Sequence, residues 1–551
     1  MTIIRRTLLL LVMAMVASSA MAQGGPPAAP QGTARITGTI ARVDGRPIPN
    51  ATIRWVRWEG GRGTQGSGRA EADGKFILDR LVAGSYQITA QSEGFVTSDY
   101  GQTVAGQPGK RIDVIDGQVF EHADVVLQKT SAIEGQLLDE FGDPVPGATV
   151  QLAQVQFVAG KTRLMPAPGQ APQPSDDRGH YRVSGLAPGD YYVMVLSGAF
   201  AVPETSAGFA PTFYPGTATP TDAKSVHLVA GQDVLDVGFA LTPATMRSVR
   251  GVTLAADGTP TSAMVLLAQT SGGDVRAMIL ARGQSAPDGS FEFRSVPEGS
   301  YVVQAFGRPE GGGSVATSPF AAAQLTVAGN TPEVRLSVRP GSIARGRFVF
   351  EGDGSALKPS MLLLSGAPTE FLTSPLIGGG PPRNTILDDW TFEVRDMIGL
   401  RVVRASIAAP GWFVKSVVVA GQDVTDTGID FRRGDVSDIE ITLTQKQSSI
   451  TGTVTDGDTP SREYSVLVFA EDAAKWAFPS RFVALARPAP ADGSFRAAGL
   501  PAAAYLVVAL SLVTTADMQD PVFLQSMRGQ ATRVVLNEGD TKAVALRIIK
   551  R

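Results

Sequence analysis

Apolar and polar positions alternate with a period of two along most of this chain. Ala148, Val150 and Leu152 fall on one side and Thr149, Gln151 and Ala153 on the other, and Tyr86, Ile88 and Ala90 alternate likewise. A period of two marks a half-buried β-strand, because successive side chains of an extended chain point to opposite faces. The strands are organised by a pattern, Phe-x-apolar-x-x-Leu-x-x-Gly-x-Tyr, that occurs five times. In four copies the outer aromatics stand ten residues apart: Phe76 to Tyr86, Tyr181 to Tyr191, Phe291 to Tyr301 and Phe495 to Tyr505. The copy at Phe392, with Gly399 and Arg401, is one residue shorter and has lost the tyrosine. The fifth position after the first aromatic is apolar throughout, as Leu81, Leu186, Val296, Met397 and Leu500.

Each copy begins with a β-branched residue followed by glycine, at Gly38, Gly135, Gly251, Gly346 and Gly452, which marks a first strand. Asp-Gly pairs at Asp73, Asp288 and Asp492 introduce the first aromatic, and both residues tolerate the left-handed backbone of a tight turn. A last apolar strand, such as Val125 to Leu127 or Val544 to Leu546, closes each copy. With about seven short strands per copy and no convincing helix, the expected fold is all-β, a tandem array of about five antiparallel seven-stranded Greek-key β-sandwiches. The expected boundaries are 34–129, 130–244, 245–340, 341–446 and 447–551, the last two divergent, after a linker at 23–33. Burial of the repeated aromatic predicts that Phe291→Ala costs about 3 to 5 kcal/mol. The interval from opening glycine to first aromatic varies, and the insertions gather before the Asp-Gly turn, as at Gly160 to Asp177. Such variable segments on a constant scaffold are where binding is expected.

The 551 residues are 43% hydrophobic and 18% charged, which fits globular folding and excludes a disordered chain. Residues 1–22 read as a secretory signal: Arg5 and Arg6, an apolar run from Leu8 to Val16, and Ala20-Met21-Ala22 before a cut at Gln23. A secreted or periplasmic product follows, with no membrane span in the mature chain. Loss of Arg5 and Arg6 takes the formal charge from -3 to about -5, which argues against nucleic acid as a partner. There is no cysteine, so disulfides, thiol catalysis and lipid attachment at a cysteine are excluded.

The Ile-x-Gly opening, the run Pro144 to Val150, Asp288-Gly289-Ser290-Phe291 and the run Leu186 to Tyr191 resemble the carboxypeptidase regulatory-like domain. This is a transthyretin-like or prealbumin-like β-sandwich, often grouped with carbohydrate-binding-like folds. The resemblance runs from 34 to 551 and is weaker in the last two copies, where Trp390 replaces the turn glycine and Ala503 a later one. It implies a module that accompanies catalytic domains without catalysing anything itself.

Candidate chemistry is sparse. None of His122, His180 and His227 has a glutamate three positions on, and no Gly-x-Ser-x-Gly elbow occurs, so no catalytic, metal or cofactor residues are assigned. Asp176-Asp177 and Asp388-Asp389 fall where the turn motif wants aspartate, and His180 reads as an exposed turn residue. Tryptophan faces can stack on sugars. Trp58, at the start of a glycine-rich loop from Glu59 to Gly68, and Trp476 are therefore the ligand-binding candidates, with Tyr100 and Tyr214 in segments that do not repeat. The expected function is a non-catalytic secreted binding or scaffold protein, with a glycan or a cell-envelope protein as partner. The alternative is a structural stalk or envelope assembly protein that takes no small ligand.

Overall fold

The computed structural model describes residues 32–550 apart from 60–61, 103–108, 159–160, 197–206, 271–277, 310–317, 371–374, 376–382, 410, 478 and 490–491. The residues expected to form a secretory signal, and most of those expected to form the linker, lie outside the described residues. The chain is all-β and divides into two compact units, 1–130 and 131–551.

In the first unit the strand Ala34–Arg42 pairs antiparallel with Lys75–Leu81, Gly38 lying opposite Phe76. On its other side Ala34–Arg42 runs parallel to the closing strands Val119–Phe120 and Val125–Leu127. A second sheet holds Arg62–Arg69, Thr52–Glu59, Gly84–Gln91 and Ser98–Asp99 in that order, with Ile112–Val114 also on Gly84–Gln91. Ile36, Ile40, Phe76, Leu78, Tyr86 and Ile88 are buried in one core cluster.

The unit 131–551 repeats this layout around four larger clusters of buried side chains, spanning 133–241, 249–338, 344–443 and 450–546. In each the opening strand takes the first-aromatic strand antiparallel and the closing strand parallel. Gly346, for instance, lies opposite Phe392 and Ile439, and Gly452 opposite Phe495 and Val544. The sheet that carries the opening strand is therefore mixed where the sequence pattern suggested a purely antiparallel one, while the second sheet of the first copy is antiparallel throughout. The opening glycine has a physical reason: a Cβ on Gly346 would lie 1.9 Å from the Ile439 carbonyl oxygen, and one on Gly452 equally close to that of Val544. Only a bare backbone lets the parallel closing strand approach so closely.

Three elements differ from expectation. The glycine-rich stretch after Trp58 is the strand Arg62–Arg69 and not a loop, and the Trp55 ring occupies the space a side chain on Gly66 would need. The last copy contains two short helices, Thr515–Gln519 and Pro521–Met527. Their signals are local: Thr514 and Asp517 form a reciprocal capping box, and Asp520 caps a helix with proline in its first turn.

Candidate functional site

The repeated hairpin uses its recurring polar groups internally. The hydroxyls of Tyr86, Tyr191, Tyr301 and Tyr505 donate to the carbonyls of Val82, Ala187, Pro297 and Pro501, at 2.6, 3.0, 2.7 and 2.8 Å. Each acceptor directly follows the conserved-spacing apolar residue, so the ring fills the core while its hydroxyl pins the connection to the next strand. Burial pushes all four phenols above their usual range. In the shortened copy Arg401 replaces the tyrosine, and its Nε donates to the equivalent carbonyl, Ile398, at 2.7 Å. Its Nη1 reaches the Gly366 carbonyl at 3.1 Å, and burial pulls this guanidinium down to about 10. A longer side chain thus spans what the missing residue would have covered.

One acid of each pair, Asp176 and Asp389, is a turn cap. Asp176 Oδ1 accepts from the N–H groups of Arg178 and His180 at 2.9 and 2.8 Å, and Asp389 Oδ1 from the N–H and hydroxyl of Thr391 at 3.0 and 2.6 Å. These bonds hold both carboxyls below their ordinary value: at Asp176 the His180 N–H contributes most, at Asp389 the Thr391 hydroxyl. Asp73, Asp288 and Asp492 repeat the arrangement, each accepting from the N–H two residues on. His180 opens its strand as an exposed residue, as the sequence suggests. Trp390 takes the turn-glycine position with φ 66°, and its ring packs edge-on against Phe350 at 4.7 Å.

The three predicted ligand-binding aromatics whose side chains are described each pack on a different core cluster. Trp476 is 6% exposed, donates from Nε1 to the Ala470 carbonyl at 2.7 Å and packs against Phe469, so its faces are not available as a stacking platform. Tyr100 is half-buried beside Phe120, and Tyr214 beside Phe239, each at the edge of its own core. The side chain of Trp58 lies outside the described residues. Half-buried Trp55 meets Tyr86 edge-on at 5.5 Å.

A groove of about 870 Å³ lies on the sheet of the fourth copy, over Gly346 and Phe392. Arg345 there bridges Glu393 and Asp435, each at 3.0 Å, and Arg347 pairs with Glu440 at 2.9 Å. No group of three His, Asp or Glu residues suited to a metal occurs among the described residues. No helix among them is long and apolar enough to cross a membrane.

Polar groups that are not spent within a copy join one copy to the next in 131–551. The short strand Ala207–Phe209 pairs with Pro243–Leu254, the opening strand of the third copy, and so extends the third copy's sheet. Leu266, Phe306 and Phe320 bury themselves with Met264 and Ile398, the last from the fourth copy. Arg481 holds both oxygens of Asp426 and donates to the Lys415 carbonyl at 2.8 Å, while Arg404 donates to the Pro479 carbonyl at 2.8 Å. Lys415 also pairs with Glu538 at 3.0 Å.

These details can be set against known proteins. Residues 35–128 match the carboxypeptidase regulatory-like domain. The regulatory-like match covers the first copy of the hairpin with its opening and closing strands. Comparison with curated proteins gave no match. Among solved structures, a streptococcal ancillary pilin is 14% identical, with 56% of this chain and 99% of the pilin covered, at a TM-score of 0.18. The minor pilin of Streptococcus agalactiae is also 14% identical, with 38% and 96% covered, at 0.23. Hydroxyquinol 1,2-dioxygenase from Pseudomonas putida is 12% identical, with 18% and 57% covered, at 0.13. At such scores these likenesses carry no argument, and the regulatory-like match stands on the first copy alone.

Proposed function

We propose that the chain is a non-catalytic scaffold that works outside the cytoplasm. In this reading a leader is removed between Ala22 and Gln23, and five sandwiches follow with the boundaries given above, the partner being a protein of the cell envelope. The observation that carries the reading is the destination of the polar groups. The turn aspartates, the repeated tyrosines and Arg401 hold the copies together internally, and Arg404, Lys415 and Arg481 hold one copy to its neighbour. Carboxylates already bonded to backbone N–H groups and held ionised are poor general acids. The buried position of Trp476 removes one support for a glycan ligand.

Two measurements test this. Purified protein incubated with nitrophenyl glycosides, esters and peptides is expected to show no turnover above buffer. A hydrolysis abolished by Asp176→Asn or Asp389→Asn would overturn the non-catalytic reading. Mass spectrometry of the protein from cell fractions is expected to find Gln23 as the first residue in the periplasmic or culture fraction. An uncut chain in the cytosol would overturn the location.

A further inference from the structure

We propose that the strand Arg62–Arg69 is a docking edge for an extended acidic segment of another polypeptide, which adds to the second sheet of the first unit as a further strand. The proposal rests on the first unit alone and does not depend on the scaffold reading.

Arg62–Arg69 is the last strand of its sheet, paired on one side only, with Thr52–Glu59. Eight residue pairs, from Thr52 opposite Arg69 to Glu59 opposite Arg62, run without a register shift. The sequence Arg-Gly-Thr-Gln-Gly-Ser-Gly-Arg contains no proline and no lysine. Among the described residues no backbone group outside Thr52–Glu59 bonds to this strand. An eight-residue edge of this kind offers about 25 Å of unpaired ladder, which proteins ordinarily blunt with proline, a bulge or brevity.

The corresponding strands of the second, third and fifth copies are blunted in those ways. Lys161–Pro166 ends in a proline that takes part in the pairing, opposite Ala153. Met278–Gln284 meets a register shift between Leu267 and Ala268. Val483–Ala486 has only four residues, and Pro488 follows it. The first unit alone of these presents a long regular edge.

Charge selects the occupant. Arg69 lies opposite Thr52 and Arg54 opposite Ser67, so the two arginines are diagonal neighbours on the outer face of the same strand pair. Both are exposed and neither has an ion-pair partner among the described residues. Diagonal neighbours stand roughly 7–8 Å apart, close enough for one incoming carboxylate to serve both. The outward residues between them and the hairpin end, Ser67 and Gln65, are uncharged and repel nothing. Backbone pairing supplies the ladder, and the acidic side chain sets register and sign.

Hydrogen–deuterium exchange on the full chain, with a ten-residue peptide of alternating Thr and Glu as probe, tests this. The peptide is expected to slow exchange of the amides in 62–69. Its Thr–Lys counterpart, and an acidic version N-methylated at alternate residues, are expected to leave them unchanged. Arg54→Glu combined with Arg69→Glu is expected to weaken the acidic peptide by at least about tenfold and to admit the lysine peptide, with protection of Ile36 and Ile88 in the core unaltered. No slowing in 62–69, or equal slowing by the lysine or N-methylated peptide, overturns the proposal. So does protection of 62–69 that grows with protein concentration in the absence of peptide, which would make a second copy of the chain the occupant.

Discussion

Gly185 and Ser295 occupy the same place in two copies of one hairpin, four residues after the first aromatic, and both are left-handed, at φ 79° and 55°. The equivalent Arg80, Asp396 and Gly499 are left-handed too, and in all five copies the pairing with the opening strand shifts register there. This is a bulge that turns the strand toward the Leu-x-x-Gly connection. Nothing lies within 4 Å of a Cβ built on Gly185, so Gly185→Ala tests backbone strain free of crowding. It is expected to cost about 1 kcal/mol, and Ser295→Gly to gain about 0.5 kcal/mol, less because glycine also frees the unfolded chain. Denaturant titration checks both, and a stabilising Gly185→Ala would refute the strain argument. The bulge was not legible from the apolar pattern, because in three of the five copies arginine, serine or aspartate stands where glycine would have announced it. The role of Arg401 was equally hidden: spacing shows that the tyrosine is lost, but only the three-dimensional path shows that a guanidinium reaches the same carbonyl.

At the scale of the element, the repeated hairpin was legible, since its alternation and ten-residue interval are direct consequences of two strands facing one core. The partner of the opening strand was not, because period-two patterning is the same for parallel and antiparallel neighbours. The weight of each aromatic needed the structure as well. Phe76 is 1% exposed and enclosed, whereas Phe291 is only half-buried, lying over Gly251 and against the buried Phe293. The 3 to 5 kcal/mol expected for Phe291→Ala therefore belongs to Phe76→Ala, where a cavity is left behind. Phe291→Ala is expected to cost about half as much, since water can reach the vacated space over Gly251. Thermal unfolding of the two variants side by side decides the point, and equal losses would place Phe291 as deeply as Phe76. The glycine-rich strand shows the same limit from the other side. Composition alone reads Arg62 to Arg69 as a loop, and only the Trp55 ring seated over Gly66 explains why it is extended.

At the scale of the whole molecule, the question is whether the fourth and fifth copies unfold separately or together. Arg481 decides much of it, because its side chain is only 24% exposed and its guanidinium binds Asp426 with two oxygens while also donating to the Lys415 carbonyl. Removing it leaves Asp426 with Arg404 alone and takes a donor from two backbone carbonyls, those of Val414 and Lys415. Hydrogen bonds to charged groups contribute about 1.5 to 3 kcal/mol when well made, and more of this survives here than at a fully wet surface pair. Arg481→Ala is therefore expected to lower the stability of the seam by about 1 to 3 kcal/mol. Core amides in Ser465–Ala470 and Phe413–Val419 are expected to lose their common exchange behaviour, one segment opening before the other. Arg481→Lys should recover only part, because a single ammonium cannot hold two carboxylate oxygens and a carbonyl in one plane. If both segments of the alanine variant still exchange together at the wild-type rate, the seam is not what couples the two copies. The scaffold would then be a chain of independent sandwiches, each stabilised only by its own core.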